Sequence, residues 1–251
     1  MKRIGLLLIV LGALLSIFQP ARAQSDQPLV LVMTADGPIM PPMLEYIKRG
    51  IETAKRENAE VLVIQLNTPG GSVDTMLEII TEIRASEVPV VVYVAPRNAL
   101  AGSAGAMITM AGHASAMAPE TVIGAASPIN SSGEDLNSDA RAKATNAIKA
   151  VIRPFVEPRG EEALALAEAM IDEATAATAD EALEANLIDF IEGNVDDLLE
   201  SLNGFTVQMS GGARTLNTAS RLYLHGLLWQ PDEEIGALPA TQASFDYRID
   251  L

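Results

Sequence analysis

Cysteine is absent from the chain. Disulfide frameworks, thiol nucleophiles and zinc–thiolate sites are therefore excluded. Basic side chains are scarce: two histidines, and only Lys48, Lys55, Lys143 and Lys149 as lysines after residue 23. Acidic residues outnumber Lys and Arg by 33 to 17, a net charge of −16. A surface of that sign repels phosphate backbones, which argues against nucleic acid as a partner. Long apolar runs are missing too, except at the N-terminus. There Lys2 and Arg3 precede the apolar stretch Ile4 to Phe18, Pro20 breaks it, and Ala21-Arg22-Ala23 stands before Gln24. That order is the pattern of a secretory signal peptide over residues 1–23, short for a spanning helix, with an uncleaved membrane anchor as the alternative. Its removal takes away three basic residues and no acidic ones, so the net charge falls from −16 to −19. What remains is enough for one well-cored domain with a tail.

What is present reads first as alternating elements. Leu29 to Met33 and Val61 to Leu66 are short apolar runs rich in branched residues, as buried strands are. Between them Leu44, Ile47, Ile51 and Ala54 recur at helical spacing. The turn Asn67-Thr68-Pro69-Gly70-Gly71 follows, then a helix carrying Val73, Met76, Leu77, Ile80 and Ile83, then a strand from Val90 to Val94. This alternation predicts an α/β domain with a parallel sheet. Beyond it the pattern predicts mostly helices: Ser103 to Gly112, Asn137 to Val156 disturbed by Pro154, Glu161 to Asp172, and one capped by Thr178 with Glu181 three residues on. A strand is expected at 187–191. Asn194 caps a helix over 195–202 that Gly204 ends. Phe205 to Met209 and Ala213 to Asn217 predict a hairpin, and Thr218 onward shows no clear period.

Three local features bear on chemistry. The Pro69-Gly70-Gly71 turn leaves a strand with glycines that permit positive φ and close backbone approach, although such turns are common. In Ala101-Gly102-Ser103-Ala104-Gly105 a serine flanked by small residues opens a helix after a strand, so its Oγ is accessible near free helical N–H groups; an N-cap serine would explain the position equally. A hydroxyl needs a base. His113 lies about 15 Å along the same predicted helix and cannot reach, and His225 falls in the unpatterned tail. Lysine remains, and it serves only when neutral, which burial in an apolar pocket favours. On this ground alone Lys143 and Lys149 stay open as bases or as ordinary surface residues.

At these residues the chain resembles the NfeD family, membrane-associated serine proteases of the ClpP class encoded beside stomatin-like proteins. The resemblance is carried, in order, by Leu66-Asn67-Thr68-Pro69-Gly70-Gly71, by Ala101-Gly102-Ser103-Ala104-Gly105, and by Gly112-His113 through Ala125. It continues with Lys143-Ala144-Thr145-Asn146 and with Thr178-Ala179-Asp180-Glu181-Ala182-Leu183 followed by Ile188-Asp189. It implies a ClpP/crotonase-like spiral of β-β-α units over residues 24–204, and a tail at 205–251 that lacks the family's membrane segment and small β-barrel. It also implies Ser103 as nucleophile, Lys143 as base, and the Gly71 and Ala104 N–H groups as oxyanion hole, with no cofactor or metal. The implied activity is endopeptidase cleavage of hydrophobic segments of a stomatin-like membrane protein by an exported, periplasmic or extracytoplasmic homo-oligomer (a dimer). A catalytically inactive module holding a membrane partner and a crotonase-type acyl-CoA enzyme are the competing classes; an export signal speaks against the latter. The sequence departs from the family pattern at Asn67 (usually Asp), Asn98 and Glu120 (usually Gly), and Glu161-Glu162 (commonly Arg-Asn).

Overall fold

The computed structural model describes residues 28–129 and 136–219, together with the backbone of two strands at 222–228 and 246–249. The stretch read as a signal peptide lies outside the described residues. Strands β1 (Leu29–Asp36), β2 (Val61–Asn67) and β3 (Val90–Val94) are parallel neighbours joined through helices α1 (Pro41–Arg56) and α2 (Val73–Ala85). The apolar runs Leu29 to Met33, Val61 to Ile64 and Val90 to Val94 reflect burial on both faces, because successive side chains point to opposite sides. Leu62, Ile64, Leu66, Val92 and Val94 meet the helices, whereas Val61, Val63, Val91 and Tyr93 face a second core closed by Leu198, Leu199 and Leu202.

After β3 the chain alternates between two layers. β4 (Leu100–Gly102) leads into α3 (Ala104–Ala111), and β5 (Ala114–Met117) returns to the large sheet beside β3. β6 (Val122–Gly124) pairs with β4, and α4 (Ser138–Val156) and α5 (Glu161–Asp172) pack beyond. Isolated bridges Ile39↔Gly71 and Thr68↔Ala101 extend this second layer back to the earlier units. Each unit therefore runs from a large-sheet strand, through a short extended segment in the second layer, into a helix. That is the expected β-β-α spiral.

Four short strands were not legible in the sequence: β4, β5, β6 and β7 (Ala176–Thr178), the last antiparallel to β6. They consist largely of Ala, Gly, Ser and Thr, and partner strands rather than intrinsic preference hold them extended. α6 (Ala179–Glu184) carries the predicted capping box, with Thr178 and Glu181 each bonding the other's N–H. β8 (Phe190–Ile191) completes one edge of the large sheet, and α7 (Val195–Leu202) starts at Asn194 as predicted. Pro154 stays inside α4: it lies near the helix end, where the N–H it lacks costs one ladder bond. β9 (Thr206–Met209) and β10 (Gly212–Thr215) form the expected hairpin. In the stretch without clear period, β11 (Leu222–Leu228) runs parallel to β1, and β12 (Asp246–Ile249) pairs antiparallel with β11.

Candidate active site

Ser103 stands between β4 and α3 with φ 48° and ψ −113°, a conformation that residues with a Cβ rarely adopt. It occupies the N-cap position, yet its side chain makes no capping hydrogen bond, so the capping explanation fails and the hydroxyl has no partner among the described residues. The backbone fixes the turn from both sides. Ser103 N–H donates to the Gly124 carbonyl at 2.8 Å, Gly102 N–H to the Thr68 carbonyl at 2.9 Å, and Thr68 N–H to the Leu100 carbonyl at 2.7 Å. Gly70, at φ +113°, lies so close that a Cβ on it would sit 2.7 Å from Ser103 Cβ and 3.4 Å from its Oγ. Gly71 is small for a different reason: a Cβ there would meet the Ile39 carbonyl oxygen at 2.1 Å.

A cavity of about 50 Å³ opens beside the serine, lined by Gly71, Ser103 and Ala104, with Val73, Met76, Met107 and Ile148 as apolar walls. Ala126, Ser127, Pro128 and Ile129 complete it; sequence reasoning did not find these, because they reach the site from the loop after β6. Among the described residues neither the Gly71 nor the Ala104 N–H has an acceptor. Ala104 opens α3, so its N–H is one of the helix's unpaired donors. The bridge to Ile39 uses Ile39 N–H to Gly70 O and Ser72 N–H to Ile39 O, which passes over Gly71. The residues that carry two unpaired donors and an uncapped hydroxyl thus line one small apolar-walled space. That is the layout acyl transfer requires.

The bases sort by their partners. His113 sits past the far end of α3, buried, with Nδ1 accepting the Val90 N–H at 3.1 Å and Nε2 unpaired among the described residues. Desolvation, then the Arg84 guanidinium, push its pKa down to about 4. His225 lies in β11, whose side chains are not described. Lys48 pairs with Glu78 and Glu82, and Lys55 with Glu87. Lys149 pairs with Asp172 and Glu168, and the hydrogen bond it donates to Asp172, seconded by the one to Glu168, raises its pKa; it is held protonated. Lys143 is the lysine without an ion pair among the described residues. It is exposed on α4 and does not line the cavity. The buried stripe of α4 is Thr145, Ile148, Ile152 and Val156, and at about 100° per residue Lys143 falls on the opposite face. The structure therefore gathers Gly71, Ser103 and Ala104 at one place and leaves Lys143 outside it. Among the described residues, no group of three or more His, Asp or Glu could hold a metal ion.

Residues 30–208 match the family profile described as "NfeD1b, N-terminal domain". The chain belongs to the NfeD1b family. It is 36% identical over 220 residues to the membrane-bound protease PH1510 of Pyrococcus horikoshii, covering 86% of this chain and 48% of that protein. It is 31% identical over 140 residues to the membrane protein NfeD1b of Bacillus subtilis, covering 56% of this chain and 31% of that one. The chain thus spans about half the length, or less, of these curated relatives. Among solved structures, 1510-N, a membrane-bound stomatin-specific protease, superposes with a TM-score of 0.73 at 32% identity. The match covers 80% of this chain and 92% of a lysine-to-alanine variant in complex with a substrate peptide. A serine-to-alanine variant of 1510-N matches equally well, over 79% of this chain and 97% of that one. The ClpP-like α/β fold with a parallel sheet is the fold of this chain. Among the described residues no helix is long and apolar enough to cross a membrane.

The departures from the family pattern have local causes. Asn98 and Glu120 have φ of 65° each, the left-handed region that glycine enters without penalty and asparagine tolerates. Glu120 is further held by a two-point contact with Arg97. Asn67 donates from Nδ2 to Asp36 at 3.2 Å and accepts the Leu100 N–H on Oδ1 at 3.0 Å. An aspartate there would set two carboxylates against each other.

Proposed function

We propose that this chain is a serine endopeptidase in which Ser103 is the nucleophile, Lys143 the general base, and the Gly71 and Ala104 N–H groups the oxyanion donors. Lys143 takes the Ser103 proton as Oγ attacks the scissile carbonyl carbon. The carbonyl oxygen becomes an oxyanion beside the two unpaired N–H groups, and the proton passes to the leaving amine as the C–N bond breaks. Water then releases the acyl group by the reverse path. The observation that carries this reading is the strained, uncapped Ser103 beside two donors without acceptors. In that role Lys143 must reach Ser103 from its exposed place on α4 when peptide binds; catalytic contacts commonly tighten only in the complex.

Hydrophobic segments of membrane-associated, stomatin-like proteins are the proposed substrates, and the exported space beside a membrane the proposed location. Large apolar side chains are exposed around the serine: Val73 and Ile129 line the cavity, Leu100 opens β4, and Met40 follows the residue bridged to Gly71. The net charge of −16 disfavours acidic peptides. A second reading, a catalytically weak protease-fold module that holds a membrane partner, draws on the outward placement of Lys143. Treatment with a fluorophosphonate probe followed by mass spectrometry decides between them. The adduct is expected on Ser103, with hydrolysis of apolar peptides in parallel and loss of both in Ser103→Ala. Hydrolysis surviving in a folded Ser103→Ala variant removes the serine mechanism.

A further inference from the structure

Thr68 is buried at 1% exposure and lies between the two segments that carry the oxyanion donors. Its hydroxyl closes a local turn: Oγ1 accepts the Gly70 N–H at 3.1 Å and donates to the Gly70 carbonyl at 3.3 Å. A threonine side chain used in this way replaces a backbone bond and fixes the two residues that follow. The next residue in line is Gly71, which lines the cavity and whose N–H has no acceptor among the described residues. The methyl group points the other way. A Cβ on Gly105 would sit 2.4 Å from Thr68 Cγ2, so helix α3 reaches this position only because residue 105 is glycine. Gly105 is the neighbour of Ala104, the carrier of the second donor. One side chain therefore touches both supports, its hydroxyl on the Gly70-Gly71 turn and its methyl on the first turn of α3. Its backbone, through Leu100 and Gly102, holds the strand that delivers Ser103.

We propose that Thr68 is a positioning residue of the oxyanion hole, setting the spacing between the Gly71 and Ala104 N–H groups. This rests on the serine-protease reading above. Donors help only if they are aimed where charge develops, and losing one such donor outright costs roughly a hundred- to a thousandfold in kcat. A donor misplaced rather than lost should cost about ten- to a hundredfold, with ground-state binding spared.

The test compares Thr68→Val, which keeps a methyl against Gly105 and deletes both hydroxyl bonds, with Thr68→Ser, which keeps the hydroxyl. Both are made in the full chain and assayed on an apolar peptide, with circular dichroism confirming the fold. Thr68→Val should lose at least tenfold in kcat with KM within about threefold of wild type, and Thr68→Ser should recover most of it. Affinity for an apolar peptide boronate, which places an oxygen in the oxyanion hole, should fall with kcat. Binding of the uncut peptide to Ser103→Ala carrying Thr68→Val should match Ser103→Ala alone. If Thr68→Val does not fold, Thr68→Ala deletes the same hydroxyl and carries the comparison. A folded hydroxyl-free variant with near-normal kcat overturns the assignment, as does a loss shared equally by KM or by Thr68→Ser. If wild type neither hydrolyses peptide nor takes the fluorophosphonate on Ser103, the protease reading itself fails and the positioning role falls with it.

Discussion

Replacing Ser103 with glycine should make the protein more stable than replacing it with alanine, although both substitutions remove the hydroxyl. At φ 48° and ψ −113° a residue with a Cβ pays on the order of 1–3 kcal/mol in a sparsely populated region. Alanine keeps that Cβ and hence the strain. Glycine relieves it but returns about 0.5–1 kcal/mol through the greater freedom of the unfolded chain. The net advantage of glycine is therefore about 0.5–2 kcal/mol. In a domain of this size each kcal/mol moves the midpoint by about 2–4 °C, so Ser103→Gly should melt roughly 1–8 °C above Ser103→Ala. Because the hydroxyl caps nothing, Ser103→Ala should lie within about 0.5 kcal/mol of wild type, not the ~1 kcal/mol that loss of a cap would cost. Thermal unfolding followed by circular dichroism, with urea titration as a second measure, reads all three proteins. If Ser103→Ala proves as stable as Ser103→Gly or more so, the backbone at the serine is not strained. The structural argument for the nucleophile then loses its main support.

Three further outcomes follow from named contacts. His113 has its pKa lowered from 6.5 to about 4, so the unfolded chain binds its proton first and stability should fall as pH drops from about 6.5 toward 4. The loss is at most about 3–3.5 kcal/mol at about 1.36 kcal/mol per unit. His113→Asn retains an acceptor for the Val90 N–H and should flatten that slope in urea titrations; an unchanged slope assigns the acid sensitivity elsewhere. Lys143→Ala should abolish peptide hydrolysis. Lys149→Ala should leave it within about threefold and cost roughly 0.5–1 kcal/mol for its partly exposed ion pairs, and the opposite result on activity moves the base to Lys149. Asn67→Asp should destabilise by about 1 kcal/mol at neutral pH, since it loses the donor to Asp36 and adds a like charge. The deficit should shrink in acid as one carboxylate protonates, and a pH-independent difference would show that Asp36 is not the cause.

How much of this was legible beforehand depends on whether a local signal existed. The long strands announced themselves because Val61 to Ile64 and Val90 to Val94 are buried on both faces and are apolar throughout. The caps at Thr178 and Asn194 were legible because a side chain three residues from its backbone partner is a sequence-local event. The short strands β4 to β7 have no such mark. They are built of small residues because two layers approach closely there, and their extended form comes from partners distant in sequence. The cavity walls Ser127, Pro128 and Ile148 were missed for the same reason. The base shows where composition helps and where it stops. Scarcity and pattern left Lys143 and Lys149 open, the resemblance favoured Lys143, and the structure ties Lys149 to Asp172 and Glu168 while leaving Lys143 outside the cavity. Neither step says how an exposed Lys143 comes to face Ser103. On the protease reading a bound peptide must bring the two together, and an apolar segment in the cleft would also exclude water from the reacting groups. The same apolar contacts would then select the substrate and switch on the base. Turnover should accordingly rise with the hydrophobicity of the peptide more steeply than binding does, and equal slopes for kcat/KM and for affinity to the Ser103→Ala variant would separate the two roles.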